Sequence, residues 1–257
     1  MPSRFPTPPP PAGSLLIKET LVIASATFNF DPRTQASEIW LQGSGGGGGG
    51  AQAVALAAAA YVATAAGGNG GSCGYGRYTR AQHGSSISIT LGAAGTAGTN
   101  GGNGGTGNQS AVGALLVVNG ALGGTGALIT NNIGEYPVHW GFTNSNLPTV
   151  TGATFIRYGT FGKPGLVGMV DTSLLAATVE EQCNIATSGD GGDSFFGKGG
   201  RGLYAYATSG VNYTIVGANT GGAGYGFGGS GGMVVSINDV DAGTAGGAAC
   251  CLIREYM

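Results

Sequence analysis

Six consecutive glycines at residues 45–50 constrain the fold of this chain more than any other feature of its sequence. Glycine loses more backbone entropy on ordering than other residues, by roughly 0.5–1 kcal/mol relative to alanine in a regular element. A run of this length is therefore normally a flexible linker between finished domains. Here the run follows a short apolar strand signal at residues 39–41, and glycine blocks recur as far as the C-terminal region. We therefore expect these glycines to form part of the folded framework.

The overall composition favours a glycine-built structure over an ordinary enzyme core. Glycine accounts for 55 of the 257 residues, which is about three times its usual share. Only 9% of the residues are charged and the net charge is −2, so the chain lacks the basic field that binds DNA or RNA. Its 42% content of hydrophobic residues is too high for a disordered chain. A folded protein must bury that apolar surface.

Short strand signals between the glycine blocks predict an all-β fold. The clearest is residues 85–91, SSISITL, in which Ile87, Ile89 and Leu91 alternate with polar residues and would bury one face of a strand. Apolar and β-branched runs predict further strands at residues 15–26, 27–30, 39–41, 114–118, 233–237 and 250–256. We expect a β-sandwich-like module with long glycine-rich loops, in which polyglycine II segments are one option, and a high content of irregular structure.

The chain divides into a proline-rich arm, residues 1–14, and one glycine-rich module, residues 15–257. The module contains a less glycine-rich stretch at about residues 127–181, which we expect to insert into the framework. Residues 51–66 include ten alanines, and their intrinsic propensity favours a helix. The alternative is a tightly packed glycine/alanine segment, because glycines flank this block and its first residues alternate with a period of two.

The proline-rich arm is suited either to spacing or to docking. Its central prolines favour an extended polyproline II conformation without internal hydrogen bonds. We expect them to dock onto another protein subunit, since a polyproline II segment loses little entropy on binding. These prolines are Pro8, Pro9, Pro10 and Pro11.

The cysteines and histidines do not form a metal-binding pattern. The four cysteines, at positions 73, 183, 250 and 251, lack CxxC spacing, and His83 and His139 lie far apart in the sequence. The vicinal pair Cys250 and Cys251 is predicted to consist of small buried residues in a last strand, with a redox role as the alternative. No long apolar stretch could span a bilayer, and prolines interrupt the position of a signal peptide. We expect a soluble protein that folds in a reducing cytoplasm.

Catalytic patterns are weak throughout the chain. Residues 192–199 nearly match the P-loop pattern, but Gly199 replaces the hydroxyl that would ligate Mg²⁺. The stretch GDGGDS, which contains Asp190 and Asp193, is similar to one copy of a calcium-binding glycine/aspartate repeat. Such repeats bind calcium in tandem copies, whereas this stretch occurs once. The carboxylates at residues 180–181 would point to opposite sides of a strand, and no Ser/His/Asp set is evident. We predict no enzyme activity, no cofactor and no metal site.

Aromatic residues set among glycines are the best candidates for binding. Their rings could extend from loops that have little neighbouring bulk, which suits the recognition of sugar rings or of outer-membrane protein loops. The alternative is that each ring fills the space that a neighbouring glycine leaves. These candidates are Tyr75, Tyr78, Tyr204, Tyr206, Tyr225 and Phe227.

The order of these pieces resembles the glycine-rich domains of bacteriophage tail fibres and tail-tip adhesins. A strand ends in a polyglycine run (IWLQGSGGGGGG, residues 39–50), and a later strand enters a Gly-Ala-Gly loop (ISITLGAAGTAG, residues 87–98). A GGxSxFG-like element follows (GGDSFFGKGG, residues 191–200), and the chain closes with an aliphatic and acidic-aromatic end (CLIREYM, residues 251–257). The landmarks extend over residues 28–257.

The resemblance implies a virion structural protein of the tail that is synthesised in the host cytoplasm. Such a protein contacts other tail proteins and a host surface glycan or outer-membrane protein, usually within a homotrimeric fibre. The alanine-rich block and the insert depart from the family pattern, which leaves the receptor and the precise role open. Two alternatives remain: a non-adhesive virion subunit for head decoration or tail assembly, and an extracellular hydrolase of host glycans.

Overall fold

The computed structural model describes most of the chain and is nearly all-β. Among the described residues, strands predominate, and helix is limited to four residues. The predicted fold class, an all-β sandwich-like protein, is confirmed. The described residues are 14–53, 63–129, 149–153, 155–160, 165–166, 169–170, 185–209, 212–235 and 239–257.

The described residues form many short strands and one single-turn helix, α1 (Arg80–His83). In chain order the strands are β1 (Leu16–Val22), β2 (Ala26–Asn29), β3 (Ala36–Gln42), β4 (Ala51–Ala53), β5 (Ala63–Thr64), β6 (Cys73–Thr79), β7 (Ser86–Thr90), β8 (Ser110–Val112), β9 (Leu116–Val118), β10 (Ala127–Ile129), β11 (Thr149–Val150), β12 (Phe155–Thr160), β13 (Met169–Val170), β14 (Ile185–Thr187), β15 (Gly197–Lys198), β16 (Tyr204–Ser209), β17 (Asn212–Val216), β18 (Ala223–Gly224), β19 (Met233–Val234), β20 (Val240–Asp241) and β21 (Cys250–Tyr256).

Two five-stranded sheets pack face to face and form the main hydrophobic core. The first sheet has the order β1-β21-β3-β6-β12 and the second has the order β11-β9-β8-β7-β2. Alternation in β3 and β21 places Ile39 and Ile253 on the inner face of the first sheet, where they pack with Ile89 and Val112 of the second. We call this unit the sandwich. The strand predictions at residues 39–41, 85–91 and 250–256 are confirmed within it.

A bundle of extended, glycine-rich segments leaves one end of the sandwich. We call this bundle the glycine lattice, and its segments hydrogen-bond to one another through their backbones. The segments are residues 43–50, 65–72, 92–98, 102–108, 120–127, 165–166, 188–193, 199–203, 226–232 and 242–249.

The run at residues 43–50 lies at the centre of the glycine lattice and is fully buried. Its N–H groups donate with a period of three residues. Gly43, Gly46 and Gly49 donate to the segment 65–72. Gly45 and Gly48 donate to the segment 242–249, and Gly47 and Gly50 donate to the segment 102–108.

The carbonyl groups of this central run follow the same period towards three other segments. The carbonyls of Ser44, Gly47 and Gly50 accept from the segment 120–127. The carbonyls of Gly45 and Gly48 accept from the segment 92–98, and those of Gly46 and Gly49 accept from the segment 226–232. A threefold helical chain that bonds laterally to six neighbours is the polyglycine II arrangement. With a rise of about 3.1 Å per residue, the eight central residues extend over roughly 25 Å.

This packing requires the absence of Cβ atoms rather than unusual dihedral angles. A Cβ added to Gly45 or Gly48 would lie 1.7 Å or 1.9 Å from a backbone carbonyl oxygen of a neighbouring segment. None of residues 45–50 has φ in the left-handed region. The glycines are therefore required for close approach of the chains, and the linker interpretation is excluded.

The lattice segments run in both directions between two ends, and the central run has three parallel and three antiparallel neighbours. At the sandwich end, six segments continue directly into strands β3, β6, β7, β8, β9 and β21. At the opposite end, which we call the far end, a turn joins segments 92–98 and 102–108, and other lattice segments continue into three smaller sheets. These sheets have the orders β10-β4-β20, β19-β5 and β13-β14-β16-β17.

The alanine-rich block and the insert both join this framework. Strands β4 and β5 form the two ends of the block, and Ala65 and Ala66 belong to the glycine lattice. The predicted helix over residues 51–66 is therefore wrong for both ends of the block, which are extended. Residues 54–62 lie outside the described part. Within the insert, β11 and β12 each extend one sheet of the sandwich.

Alanine in place of both Gly47 and Gly48 should destabilise the protein strongly. Each added Cβ would lie 1.9 Å from a backbone carbonyl oxygen, and overpacking of this kind typically costs about 1–3 kcal/mol per site. We expect the urea midpoint of unfolding to fall by an amount that corresponds to at least about 2 kcal/mol.

Gly221→Ala is the matched control, since a Cβ added there would have nothing within 4 Å and the φ of Gly221 is not left-handed. This change should be neutral or slightly stabilising, because it reduces the entropy of the unfolded chain. An unchanged or raised midpoint in the double variant would contradict the lattice as the framework of the fold.

Candidate functional site

The far end of the glycine lattice carries an exposed aromatic and aliphatic surface. Strand β16 pairs with the edge strand β17 so that Tyr204 lies opposite Val216 and Tyr206 lies opposite Thr214. The two tyrosine ring centroids are 6.3 Å apart. Tyr204 is 39% exposed and Val216 is 48% exposed. We call these four residues the tyrosine face.

The opposite side of the same sheet explains why the tyrosine face points outward. Ala205 alternates with the two tyrosines along β16 and lies opposite Ala186 of β14, and both alanines are fully buried. They pack with Leu203 and Met233 in a small core beside the glycine lattice. The alternation of alanine and tyrosine in LYAYA therefore fixes the direction of the rings, since successive side chains of a strand lie on opposite faces.

A second exposed row lies in the neighbouring sheet at the far end. Leu128 and Val240 both lie opposite Gln52, which places the three side chains on one face. Leu128 is 48% exposed and Val240 is 50% exposed. Two exposed aliphatic side chains on either side of a polar one add apolar surface to this end of the molecule, and such surface can contribute to an interaction site. Sequence analysis did not identify this row, because each residue comes from a different short strand.

Two of the sequence candidates, Tyr75 and Tyr78, cannot contact a receptor in this fold. Both lie in strand β6 and not in a loop, and they are 5% and 0% exposed. The ring of Tyr78 occupies the space beside Gly76, where a Cβ would lie 2.4 Å from the Tyr78 hydroxyl. The Tyr75 ring packs on Trp40, with centroids 4.7 Å apart. The prediction of binding is wrong for these two, and both rings are core elements.

Phe227 is also a space-filling ring. A Cβ added to Gly222 or to Gly247 would contact the Phe227 ring, at 2.4 Å and 2.5 Å respectively. Tyr225 is half-buried, and its carbonyl accepts a hydrogen bond from the Ser194 hydroxyl. Of the six aromatic candidates, Tyr204 and Tyr206 are therefore the pair that the fold brings together on an exposed face. The prolines of the arm lie outside the described residues.

Asp190 and Asp193 have structural roles at the edge of the glycine lattice. The Asp190 carboxylate accepts a hydrogen bond from Gly202 N at 2.6 Å, and that of Asp193 accepts one from Gly199 N at 2.9 Å. These carboxylates satisfy backbone amides at the edge of the lattice. Because Gly192 N also donates within the lattice, the P-loop-like stretch does not present a phosphate-binding nest.

The densest group of ionisable side chains surrounds Glu38 on the outer face of the first sheet. Its carboxylate accepts hydrogen bonds from the hydroxyls of Tyr75, at 3.0 Å, and Tyr256, at 2.8 Å, and it forms an ion pair with Arg77. Glu38 is 1% exposed. Burial, followed by the hydrogen bond to Glu38, raises the pKa of Tyr256 to about 12. A buried carboxylate with both oxygens engaged has no open position for substrate, so this cluster stabilises the sheet.

The described cysteines and His83 are core residues. Cys73, Cys250 and Cys251 are buried free thiols, and desolvation raises the pKa of Cys250 to about 12. Thiolate formation, which redox chemistry requires, is therefore suppressed. The His83 ring stacks on Phe30 with centroids 3.9 Å apart. The prediction of a buried cysteine pair in the last strand is confirmed, whereas His139 and residues 180–181 lie outside the described part.

Together these features define an all-β protein in which a polyglycine II lattice joins a β-sandwich to a set of smaller sheets. A scan against models of known protein families found no match, and a search of curated proteins also found none. Among the described residues, no group of three potential metal ligands is present. In the same part of the chain, no helix has the length and apolar character that crossing a membrane requires.

Removing the Glu38 carboxylate should destabilise the sandwich. Glu38→Ala would leave the half-buried Arg77 and two tyrosine hydroxyls without their shared acceptor, and breaking a buried pair of this kind costs about 3–5 kcal/mol. Chemical denaturation followed by intrinsic tryptophan fluorescence would measure the change. Glu19→Ala is the control, because the pair Glu19–Arg254 is partly exposed and should contribute less than about 1 kcal/mol. Equal effects of the two variants would contradict the structural role of Glu38.

Because the three described thiols are buried, we expect them to react slowly with thiol reagents, and we expect the folded protein to lose stability at high pH. A thiol whose pKa is raised in the folded state stabilises the fold below its unfolded pKa, and this contribution is lost as pH rises from about 9 towards 12. We expect a Cys183→Ser variant to resist a thiol reagent at pH 8 until it is denatured, and its urea midpoint to fall above pH 9. Rapid labelling of the native protein would contradict the burial of these thiols.

Proposed function

We propose that this protein is a bacteriophage virion structural protein, a tail-fibre or tail-tip component that contacts the host cell surface. The observation that carries the proposal is the separation of two unlike ends by the glycine lattice. The sandwich end contains the main hydrophobic core, whereas the far end carries the tyrosine face and the Leu128–Val240 row. A receptor-binding tip benefits from this arrangement, since a binding surface held on a rigid support loses less entropy on binding.

The chemistry of the tyrosine face suits a surface glycan or an outer-membrane protein loop. Aromatic rings contribute a large apolar area, and the tyrosine hydroxyls add hydrogen bonds at the rim. Tyr204, Tyr206 and Val216 lie on one face of a sheet, which gives a nearly flat surface of the size of a sugar ring or a short loop. The low net charge of −2 is consistent with recognition by shape and stacking rather than by electrostatic attraction.

The remaining features of the proposal follow from the resemblance to tail adhesins. They include incorporation into a homotrimeric fibre, contact with other tail proteins, and docking of the arm through Pro8, Pro9, Pro10 and Pro11. A non-adhesive virion subunit is the principal alternative, and hydrolysis of host glycans is the second.

Substitution in the tyrosine face should weaken binding to host cells. We expect purified wild-type protein to bind susceptible cells and to compete with phage adsorption. The variant Tyr204→Ser/Val216→Ser should bind at least about tenfold more weakly, because truncating an anchor residue of an interface commonly costs about 1–2 kcal/mol. The matched control is Leu122→Ser, which removes a side chain of similar exposure, 43%, from the flank of the glycine lattice. Binding would be measured by flow cytometry with labelled protein.

The treatment of the cells distinguishes the receptor classes. Periodate should abolish binding to a glycan, and protease should abolish binding to a protein loop. If the wild-type protein neither binds cells nor blocks infection, the adhesin function is rejected and the non-adhesive virion subunit remains. Release of reducing ends from host polysaccharide would instead support the hydrolase.

A further inference from the structure

Strand β1 forms an open edge of the sandwich, at the opposite end of the molecule from the tyrosine face. It pairs with β21 on one side, from Leu16 to Val22, and a register shift between Leu16 and Lys18 brings Leu16 onto the same face as Leu21. Among the described residues, no strand pairs with its other side. An open edge presents unpaired N–H and C=O groups, and proteins usually shield such edges with short strands, prolines or charges. Strand β1 has seven residues, LIKETLV, with no proline.

The edge is also unusually apolar on its exposed side. Leu16 and Leu21 are each 48% exposed. The residues that flank the strand are similar, since Leu15 is 61% exposed and Ile23 is 62% exposed. An exposed strand edge with adjacent aliphatic side chains has the properties of a site for strand addition, in which main-chain hydrogen bonds provide affinity and side chains provide selectivity.

We propose that β1 receives an extended strand from a different polypeptide, and that the added strand carries an acidic residue opposite Lys18. The inference does not depend on the proposed host-binding function, because the two surfaces lie at opposite ends of the glycine lattice. A non-adhesive virion subunit could use the same edge.

The charges on β1 lie on different faces of the sheet. Glu19 forms an ion pair with Arg254, which lies over Trp40 on the outer face. Lys18 lies on the inner side, where its Nζ is 6.0 Å from the Phe28 ring centroid. Among the described residues, no carboxylate is within ion-pair distance of Lys18. Glu19 is therefore already paired, whereas Lys18 has a longer-range electrostatic interaction with Asp31 and no ion pair among the described residues. A partner's carboxylate can pair with Lys18 directly.

A second copy of the chain does not fit this edge well. In a continuous antiparallel sheet formed by two copies of β1, opposing residues lie on the same face, so Lys18 can never lie opposite Glu19. Pairing centred on Lys18 or on Glu19 brings like charges together, which is destabilising. Pairing centred on Thr20 places Glu19 opposite Leu21, so neither charge of β1 gains an opposite charge from the second copy.

The proline-rich arm of the same chain is equally unsuitable as an added strand. Prolines occupy six of the thirteen residues that precede Ser14, and proline has no N–H to donate to a neighbouring strand. A foreign segment with alternating residues fits the edge better than either of these. Its aliphatic side chains would meet Leu16 and Leu21, and a carboxylate on its other face would meet Lys18.

Short synthetic strands can test this edge with the full-length protein. The probe TVTVDVTV has the required alternation and one acidic residue, TVTVKVTV reverses its charge, and TVTPDPTV lacks two of its N–H groups. We expect the acidic probe to protect the amides of β1 from hydrogen exchange and to bind about fivefold more tightly than the lysine probe. The proline probe should give no protection.

Charge reversal in the protein provides the decisive comparison. Lys18→Glu should invert the preference, so that the lysine probe binds more tightly than the acidic one, while intrinsic tryptophan fluorescence reports an intact fold. Leu21→Arg, on the other face, should weaken both strand-forming probes equally. Absence of protection in β1, or a preference that Lys18→Glu leaves unchanged, would overturn the proposal. Concentration-dependent dimers that protect β1 without any probe would assign the edge to a second copy and also overturn it.

Discussion

Lateral hydrogen bonding between bare peptide backbones is the interaction on which this structure depends. The central run of residues 43–50 donates to three segments and accepts from three others, each with a period of three residues. Such contacts require the chains to lie closer together than side chains permit, and a Cβ on Gly45 would lie 1.7 Å from a carbonyl oxygen. Glycine is entropically unfavourable in regular structure. Its abundance here is explained by the close packing of neighbouring segments of the same polypeptide, which leaves no room for side chains.

The lattice also explains how a chain with few large apolar residues forms a stable protein. Its interior contains peptide groups that satisfy one another, in place of a conventional hydrophobic core. Hydrophobic packing is concentrated at the sandwich end, where Ile39, Tyr78 and Ile253 belong to one core cluster. At the junction, the fully buried Gln42 donates to the carbonyls of Gly71 and Ser72. This side chain continues the backbone hydrogen bonding where the sheet becomes the lattice.

A rigid lattice separates the two surfaces that we propose to be functional. The tyrosine face and the Leu128–Val240 row lie where the segments turn at the far end, whereas the β1 edge lies on the sandwich. Because the segments between them are hydrogen-bonded to several neighbours each, the lattice can hold both ends in a fixed relation. This geometry suits a protein that is anchored at one end and makes contact at the other.

The sequence by itself determined the all-β class, the strands with clear alternation and the packed state of the glycine run. Strands such as β7 and β21 carry their burial pattern in their own residues, because side chains alternate between faces. The exposure of the aromatic candidates was less accessible to sequence analysis. GYGRY and LYAYA look alike, yet Tyr78 is buried against Gly76 and Tyr204 is exposed.

Only the tertiary structure decided which segments surround the central run. Glycine carries no side-chain signal that could specify a partner, and the six neighbouring segments come from distant parts of the chain. The Glu38 cluster was hidden for a similar reason, since Glu38, Tyr75 and Tyr256 are brought together by the strand order of the first sheet. Local pattern fixes which face of a strand is buried, whereas partner choice depends on contacts between residues far apart in sequence.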